Sequence, residues 1–267
     1  MTADEGMPVG QLMGNLVLVP NTLDLGTDHE VDLREVLPQA VIHRAAALAY
    51  WVVENAKTTR ALLKRVDRLV PLALPLQQIQ ITELPRPPKG GAAGRGAPSA
   101  PDLKPLLAPA LAGHDVGLLS EAGLPGVADP GAALVQTAHA MGVPVAVLAG
   151  PSSLLLALAA SGLNGQSFAF VGYLPVDASA RAARIRELEA LSRRQGQTQI
   201  AIETPYRNDA LLGALLEHLQ PGTRLSVCSG LTLPGCRIGT RTVQQWRAAP
   251  GAALGGRLPA VFLWLAG

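Results

Sequence analysis

The sequence predicts an α/β fold in two domains. Short apolar runs alternate with amphipathic stretches of helical spacing along the chain. Gly/Pro-rich connectors follow several of the runs. At 267 residues the chain exceeds what one minimal core needs. Strand–helix alternation implies a parallel sheet with right-handed crossovers, because parallel neighbours are joined only by a crossover.

Leu16-Val-Leu-Val19 reads as a buried strand stopped by Pro20. Residues 31–48 have helical spacing, interrupted at Pro38. Residues 49–53 and 78–82 are further strands. Between them, Thr58 to Val66 is a helix with Leu62, Leu63 and Val66 on one face. In Pro85 to Pro101 nine of 17 residues are Pro or Gly, which reads as a flexible loop. A helix (103–112), a strand (116–119), a loop (120–131), a helix (132–141), a strand (143–148) and a helix (152–162) follow. A break near residue 165 sets the expected domains, 1–164 and 165–267. Beyond it come strand 168–172, helix 179–193, strand 198–203, helix 206–218, strand 223–228 and the strand Pro259–Leu265.

Composition removes several function classes. Hydrophobic residues are 48%, which excludes a disordered chain. Lys plus Arg is 22 against 20 acids, so a net charge of +2 gives no strong nucleic-acid footprint. Aromatics at 3% argue against a base-stacking platform. Only 4 of the basic residues are Lys, an Arg bias that reads as genomic composition. Cys228 and Cys236 match no zinc spacing and no disulfide framework, so the expected compartment is the reducing cytoplasm. Met1 to Pro8 is acidic and lacks a signal-peptide pattern. Ala140 to Val176 carries no charge over 37 residues, yet Gly142, Pro144, Gly150-Pro151 and Asn164-Gly165 cut it too short to span a membrane. The chain has no P-loop, no G-x-S-x-G elbow and no His pair at zinc spacing; no metal is expected. Gly94 and Gly96 follow no strand, so their G-x-G is not a dinucleotide motif.

Four loops carry the candidate chemistry. Ser120-Glu-Ala-Gly-Leu-Pro-Gly-Val-Ala-Asp-Pro-Gly131 joins a strand to a helix, where open α/β sheets bind ligands. Its glycines permit close backbone approach, and Asp129 either caps the next helix or meets a ligand hydroxyl. Gly150-Pro-Ser-Ser153 opens an apolar helix, with Ser152 or Ser153 as cap or anion contact. Glu203-Thr-Pro-Tyr-Arg207 ends a strand, with Glu203 either a helix-terminus acid or a site carboxylate. A proline opens the last strand at Pro259, a feature of edge strands.

Taken in order, these loops resemble the tetrapyrrole (corrin/porphyrin) methylase superfamily, and within it the ribosomal small-subunit methyltransferase I family. Residues 120–131 resemble that family's S-D-A-G-T-P-G-I-S-D-P-G loop. Gly150-Pro-Ser-Ser153 with Ala160-Ser-Gly-Leu163 is similar to G-P-S-A…A-S-G-L. Phe170-Val-Gly-Tyr-Leu-Pro175 is similar to F-x-G-F-L-P, and Glu203–Arg207 to E-S-P-H-R. The resemblance covers residues 14–267. It implies two α/β domains, the first with a mostly parallel sheet and the second with a mixed sheet. It also implies S-adenosylmethionine in a cleft between the domains, and a homodimer. Gly123, Leu124, Val127 and Asp129 would line the methionine and ribose end, with Ser152 and Ser153 beside it. Ile202, Glu203, Gly230, Leu231, Pro259 and Ala260 would surround the adenine.

Departures fall on other loops. The family's T-P-I-G-N-L-x-D is here Val19-Pro-Asn-Thr-Leu-Asp24, without the glycine. Its A-E-D-T-R-H-S-R is Val53-Glu-Asn-Ala-Lys-Thr-Thr-Arg60, which keeps Glu54 and Arg60 but replaces Asp by Asn55. Its Y-H-E-H-N segment is lost near Thr82-Glu83. The cofactor side thus reads as kept and the substrate side as rebuilt. Glu54 and Glu203 are the candidate general bases, and Arg60 and Arg207 the candidate substrate contacts. The expected activity is methyl transfer, with an rRNA ribose 2′-oxygen as acceptor. The alternatives are a small-molecule or tetrapyrrole methylase and a cofactor-binding regulatory module without chemistry.

Overall fold

Parallel strands buried on both faces read as continuous apolar runs, and the N-terminal strands do so because they are sandwiched between helices. The computed structural model describes residues 12–24, 26–85, 101–249 and 258–267. Residues 1–11 and all but the ends of the 85–101 loop lie outside them. Two compact units result. The first contains residues up to Thr22 and Asp32–Gly150; the second contains Leu23–Val31 and Pro151–Gly267.

In the first unit, β1 (Leu16–Leu18), β2 (Tyr50–Val53), β3 (Gln80–Glu83), β4 (Val116–Leu119) and β5 (Val145–Val147) form a parallel sheet in the order β3-β2-β4-β1-β5. Its helices are α1 (Leu33–Val36), α2 (Gln39–Ala46), α3 (Ala56–Asp67), α4 (Ala108–Leu111) and α5 (Ala132–Ala140). Alternate strand residues point to opposite faces. Val17, Trp51, Val53 and Leu119 pack with Val41, Leu62 and Leu63 of α2 and α3. Leu16, Val52, Val116 and Leu118 pack on the other face with Ala110 of α4 and Leu134 of α5. Gly117 lies opposite Trp51, where a Cβ would stand 2.7 Å from the indole. Asn55 starts α3 by accepting the N–H of Lys57 at 2.9 Å and of Thr58 at 3.4 Å. Pro38 starts α2 rather than kinking a longer helix.

In the second unit, β6 (Phe168–Tyr173), β7 (Thr198–Glu203), β8 (Arg224–Ser229), β9 (Arg237–Thr242) and β10 (Ala260–Leu265) pair in the order β6-β7-β10-β8-β9. Only β6 and β7 are parallel, so the sheet is mixed. Phe262 and Trp264 of β10 face α7 (Ala178–Gln195), α8 (Asn208–His218) and α9 (Val243–Ala248). Val261 and Leu263 face α6 (Ser153–Ser161). Each fully buried large side chain of this kind contributes about 1.5–3 kcal/mol of transfer free energy. β10 is central, so Pro259 marks no edge strand; it lies just outside, before Ala260.

The expected joint at 164/165 differs from the division at 150/151, because Leu154, Ala157 and Leu158 of α6 pack on the second sheet. β9 and α9 are absent from the sequence reading. A Thr242/Gln245 capping box opens α9 and is visible as T-x-x-Q. No helix among the described residues is long and apolar enough to cross a membrane.

Candidate functional site

In a parallel sheet all the carboxyl strand ends fall on one edge, so the loops after β1, β2 and β4 meet there. Asn21, after β1, ties its loop to the loop after β4. Its backbone N–H donates to the Gly123 carbonyl at 2.8 Å. Its side-chain amide donates to the Ser120 carbonyl at 3.1 Å and the Glu121 carbonyl at 3.0 Å, while its Oδ1 accepts the Thr22 N–H at 2.8 Å. Gly123 returns a hydrogen bond to the Thr22 carbonyl at 3.3 Å. The loop that lacks the family's glycine is therefore a clamp on the glycine-rich loop. The sequence reading missed Asn21 as a site residue; a polar residue directly after an apolar strand and a proline was its signal.

The 120–131 loop is built on left-handed backbone. Gly123, Gly126 and Gly131 have φ of 65°, 80° and 133°, and Ala128 also lies at 67°. Such strain in a non-glycine residue gathers at functional loops. Asp129 does not cap α5: the N-cap is Gly131, with no side-chain cap hydrogen bond. That removes the capping role weighed for Asp129. Burial, then the charges of Glu54 and Glu121, push its carboxyl up to about 6. Glu54 accepts the Glu121 N–H through Oε2 at 3.1 Å, and the Thr58 hydroxyl donates to Glu121 at 3.4 Å. The first unit thus presents three carboxylates around a glycine-rich loop. Leu124 is half-buried and Val127 is exposed. Ser120 Oγ is buried without a hydrogen-bond partner. Arg60 is exposed on α3, with Nη1 donating to the Ala56 carbonyl at 3.4 Å.

The second unit brings six of the predicted residues to one sheet end. β10 runs antiparallel to β7 and β8, so its start meets their carboxyl ends. Ala260 lies opposite both Glu203 and Ser229, and Ile202 lies opposite Val261. Gly230, at φ 66°, donates its N–H to the Pro259 carbonyl at 2.9 Å, and Leu231 follows half-buried. Ser229 Oγ and Thr232 Oγ1 are buried there without partners. Ser152 is the N-cap of α6, but its side chain makes no cap hydrogen bond. Ser153 is the first helical residue.

Glu203 and Arg207 are engaged with each other. Arg207 Nη2 stands 2.9 Å from Glu203 Oε2, while the Thr204 N–H and hydroxyl donate to Oε1 at 2.8 and 3.1 Å. The Glu203 side chain is 2% exposed. Both of its oxygens are thus occupied, leaving neither open to a substrate hydroxyl. Glu54 keeps one oxygen free of the contacts named above. Among the described residues no group of His, Cys, Asp or Glu is arranged to hold a metal ion.

A family model of the tetrapyrrole (corrin/porphyrin) methylases matches residues 39–246. The chain belongs to this family. The match begins beyond the 19–24 loop. It is 39% identical over 127 residues to a ribosomal RNA small subunit methyltransferase I of Mesorhizobium japonicum, covering 48% of this chain and 42% of that one. It is 37% identical over 138 residues to the protein of the same name in Coprothermobacter proteolyticus, covering 52% and 60%. The matched stretch thus spans about half the length of these relatives. Among solved structures, a conserved hypothetical protein from Aeropyrum pernix K1 has a TM-score of 0.60 at 16% identity, covering 95% of this chain and 85% of that one. A cobalt precorrin-4 methyltransferase has a TM-score of 0.51 at 13% identity, covering 97% of both chains. These two likenesses concern the fold alone.

Proposed function

We propose that the chain is an S-adenosylmethionine-dependent methyltransferase that modifies ribosomal RNA at a ribose 2′-oxygen. The observation that carries this reading is the glycine-rich 120–131 loop, pinned by Asn21 and rimmed by Glu54, Glu121 and Asp129. Carboxylates suit the sulfonium and ammonium charges of that cofactor. Orphaned buried hydroxyls at Ser120, Ser229 and Thr232 fit a ligand rich in polar atoms. The names of the two relatives support small-subunit ribosomal RNA as the substrate.

In this reading Gly123, Leu124, Val127 and Asp129 hold the methionine and ribose end. Ser152 and Ser153 lie beside it, and Ile202, Glu203, Gly230, Leu231, Pro259 and Ala260 receive the adenine. The cofactor, when bound, supplies a methyl group on a sulfonium sulfur for in-line displacement. The residues position the acceptor oxygen and take its proton, and Glu54 is the favoured base because it is half-buried and, among the described residues, only its Oε2 takes a hydrogen bond. Arg207 is committed to Glu203, which leaves Arg60 as the available cation of the two proposed substrate contacts.

The reading includes a cytoplasmic homodimer. Phe168, Phe170 and Tyr173 are exposed on the edge strand β6, and Leu155 and Leu156 on α6. Light scattering at micromolar protein should give twice the chain mass; a monomer mass rejects the dimer.

Calorimetric titration with S-adenosylmethionine, beside a Gly123→Arg variant, tests the cofactor. Micromolar binding by the unaltered protein alone is expected. No binding at millimolar cofactor would reject the cofactor, whereas binding with no methyl incorporation into any fraction would favour the cofactor-binding module without chemistry. Methyl incorporation into small-subunit rRNA tests the acceptor. The modest charge of +2 favours a second reading, a small-molecule methylase, which would label a low-mass fraction instead.

A further inference from the structure

The second unit carries an open pocket of about 550 Å³ whose lining includes none of the residues proposed for the cofactor or the base, although its Leu258 directly precedes Pro259 and packs beside Gly230. Residues Gly26, Thr27, Asp28 and His29 form one wall; Pro234, Gly235, Arg237 and Leu258 form the other. That size suits a small organic ligand or one unit of a polymer.

Both walls are held by the backbone. Thr27 donates its N–H and hydroxyl to the Asp24 carbonyl at 3.1 and 2.7 Å, and the Asp24 carboxylate accepts the Val31 N–H at 3.0 Å. Opposite, Leu233 donates its N–H to the Gly230 carbonyl at 2.9 Å and Cys236 to the Leu233 carbonyl at 3.1 Å, giving two successive turns. The Leu258 carbonyl accepts from the Asn208 amide at 2.9 Å. The charged side chains have no such duty. Among the described residues, Asp28, His29 and Arg237 are exposed, and no hydrogen bond or ion pair engages their side chains; of His29 the Thr27 hydroxyl meets only the backbone. Arg241, next but one on the same face of β9 after Gly239, is by contrast stacked on Trp246, 4.7 Å from the ring centroid.

These groups define a ligand by elimination. A guanidinium fork matches a phosphate. A carboxylate only accepts, so it asks for an amino or imino edge, as a base provides. Leu258, Pro234 and the His29 ring offer apolar and flat faces to a base plane. Inorganic phosphate alone would be repelled by Asp28, and an apolar ligand would strip water from both charges.

We propose that this pocket binds one nucleotide, with its phosphate on Arg237 and its base edge on Asp28. Where that nucleotide belongs to RNA, the inference rests on the acceptor reading above; a free nucleotide is the other source. The test is equilibrium dialysis of the full chain against each nucleoside 5′-monophosphate, inorganic phosphate and the nucleosides. Salt-dependent retention of small-subunit rRNA is measured in parallel. Arg237→Ala, Arg237→Lys and Asp28→Asn are compared with Arg184→Ala, a control on α7 whose partner is Glu187. A monophosphate should bind the unaltered protein and weaken about tenfold or more in Arg237→Ala, with partial recovery in Arg237→Lys. Asp28→Asn should change which base is preferred. Retention of rRNA with a salt slope about one unit smaller in Arg237→Ala assigns the nucleotide to RNA. Monophosphate binding without rRNA retention keeps the pocket and rejects the acceptor. Absence of monophosphate binding, with rRNA held equally by all variants or by none, overturns the pocket.

Discussion

Asn21 shows how one side chain can fix a neighbouring loop. The family's glycine lets backbone turn freely after the first strand; here an amide fixes the neighbouring loop by hydrogen bonds instead. Asn21→Ala leaves the Ser120 and Glu121 carbonyls without that donor and should cost about 2 kcal/mol in urea unfolding. The same variant should weaken cofactor binding, whereas Leu12→Ala, at an exposed position, should change neither. Asp129 makes a pH prediction. Its folded value of about 6 lies above the ordinary 3.8, so the folded chain binds the proton more tightly than the unfolded one. Its stabilising contribution is present below about pH 4 and is lost as pH rises through about 6. Asp129→Asn should therefore raise the melting temperature at neutral pH and leave it nearly unchanged at acid pH. An equal gain at both would sink the assignment of cause.

The elements show why some departures cost nothing. Asn55 replaces the family's Asp and still caps α3 through Oδ1. Asn55→Ala should lose about 1 kcal/mol, and Asn55→Asp should equal or slightly exceed the unaltered protein. Gly150 is constrained differently. A Cβ there would stand 2.1 Å from the Pro20 ring, so Gly150→Ala must displace the β1 loop. A loss of about 1–3 kcal/mol is expected from thermal unfolding, and an unshifted midpoint would refute the contact. The runs that became β1, β2 and β4 were legible because a two-faced buried strand has no polar alternation to hide it. β9 was not, because Arg237-Ile-Gly-Thr-Arg-Thr242 is an exposed edge whose pairing to β8 leaves little apolar pattern.

At the scale of the molecule, the weak net charge limits how strongly RNA can be held at long range. If rRNA is the acceptor, the slope of log affinity against log salt should be shallower than about −3.5, equivalent to about five phosphates on a single strand. A steeper slope would require a basic surface that the composition does not suggest. The division of the chain belongs to this scale too. Leu23–Val31 belongs to the second unit although only four residues separate it from β1 of the first, and it supplies one wall of the nucleotide pocket. A linear reading assigns such a segment to its sequence neighbours, so the pocket was invisible until the contacts were known.

The sequence by itself determined the α/β class, the order of most elements, the strand-end loops and the family that residues 120–131 resemble. Those features depend on local period, on turn chemistry and on a contiguous motif. Only the tertiary structure decided that Asn21 clamps the glycine-rich loop, that Glu203 is neutralised by Arg207, and that β10 is central despite its proline. Each of these depends on a partner distant in sequence or on the choice between equally allowed side-chain contacts. Hydrophobic pattern fixes which face is buried; it does not say which polar group meets which.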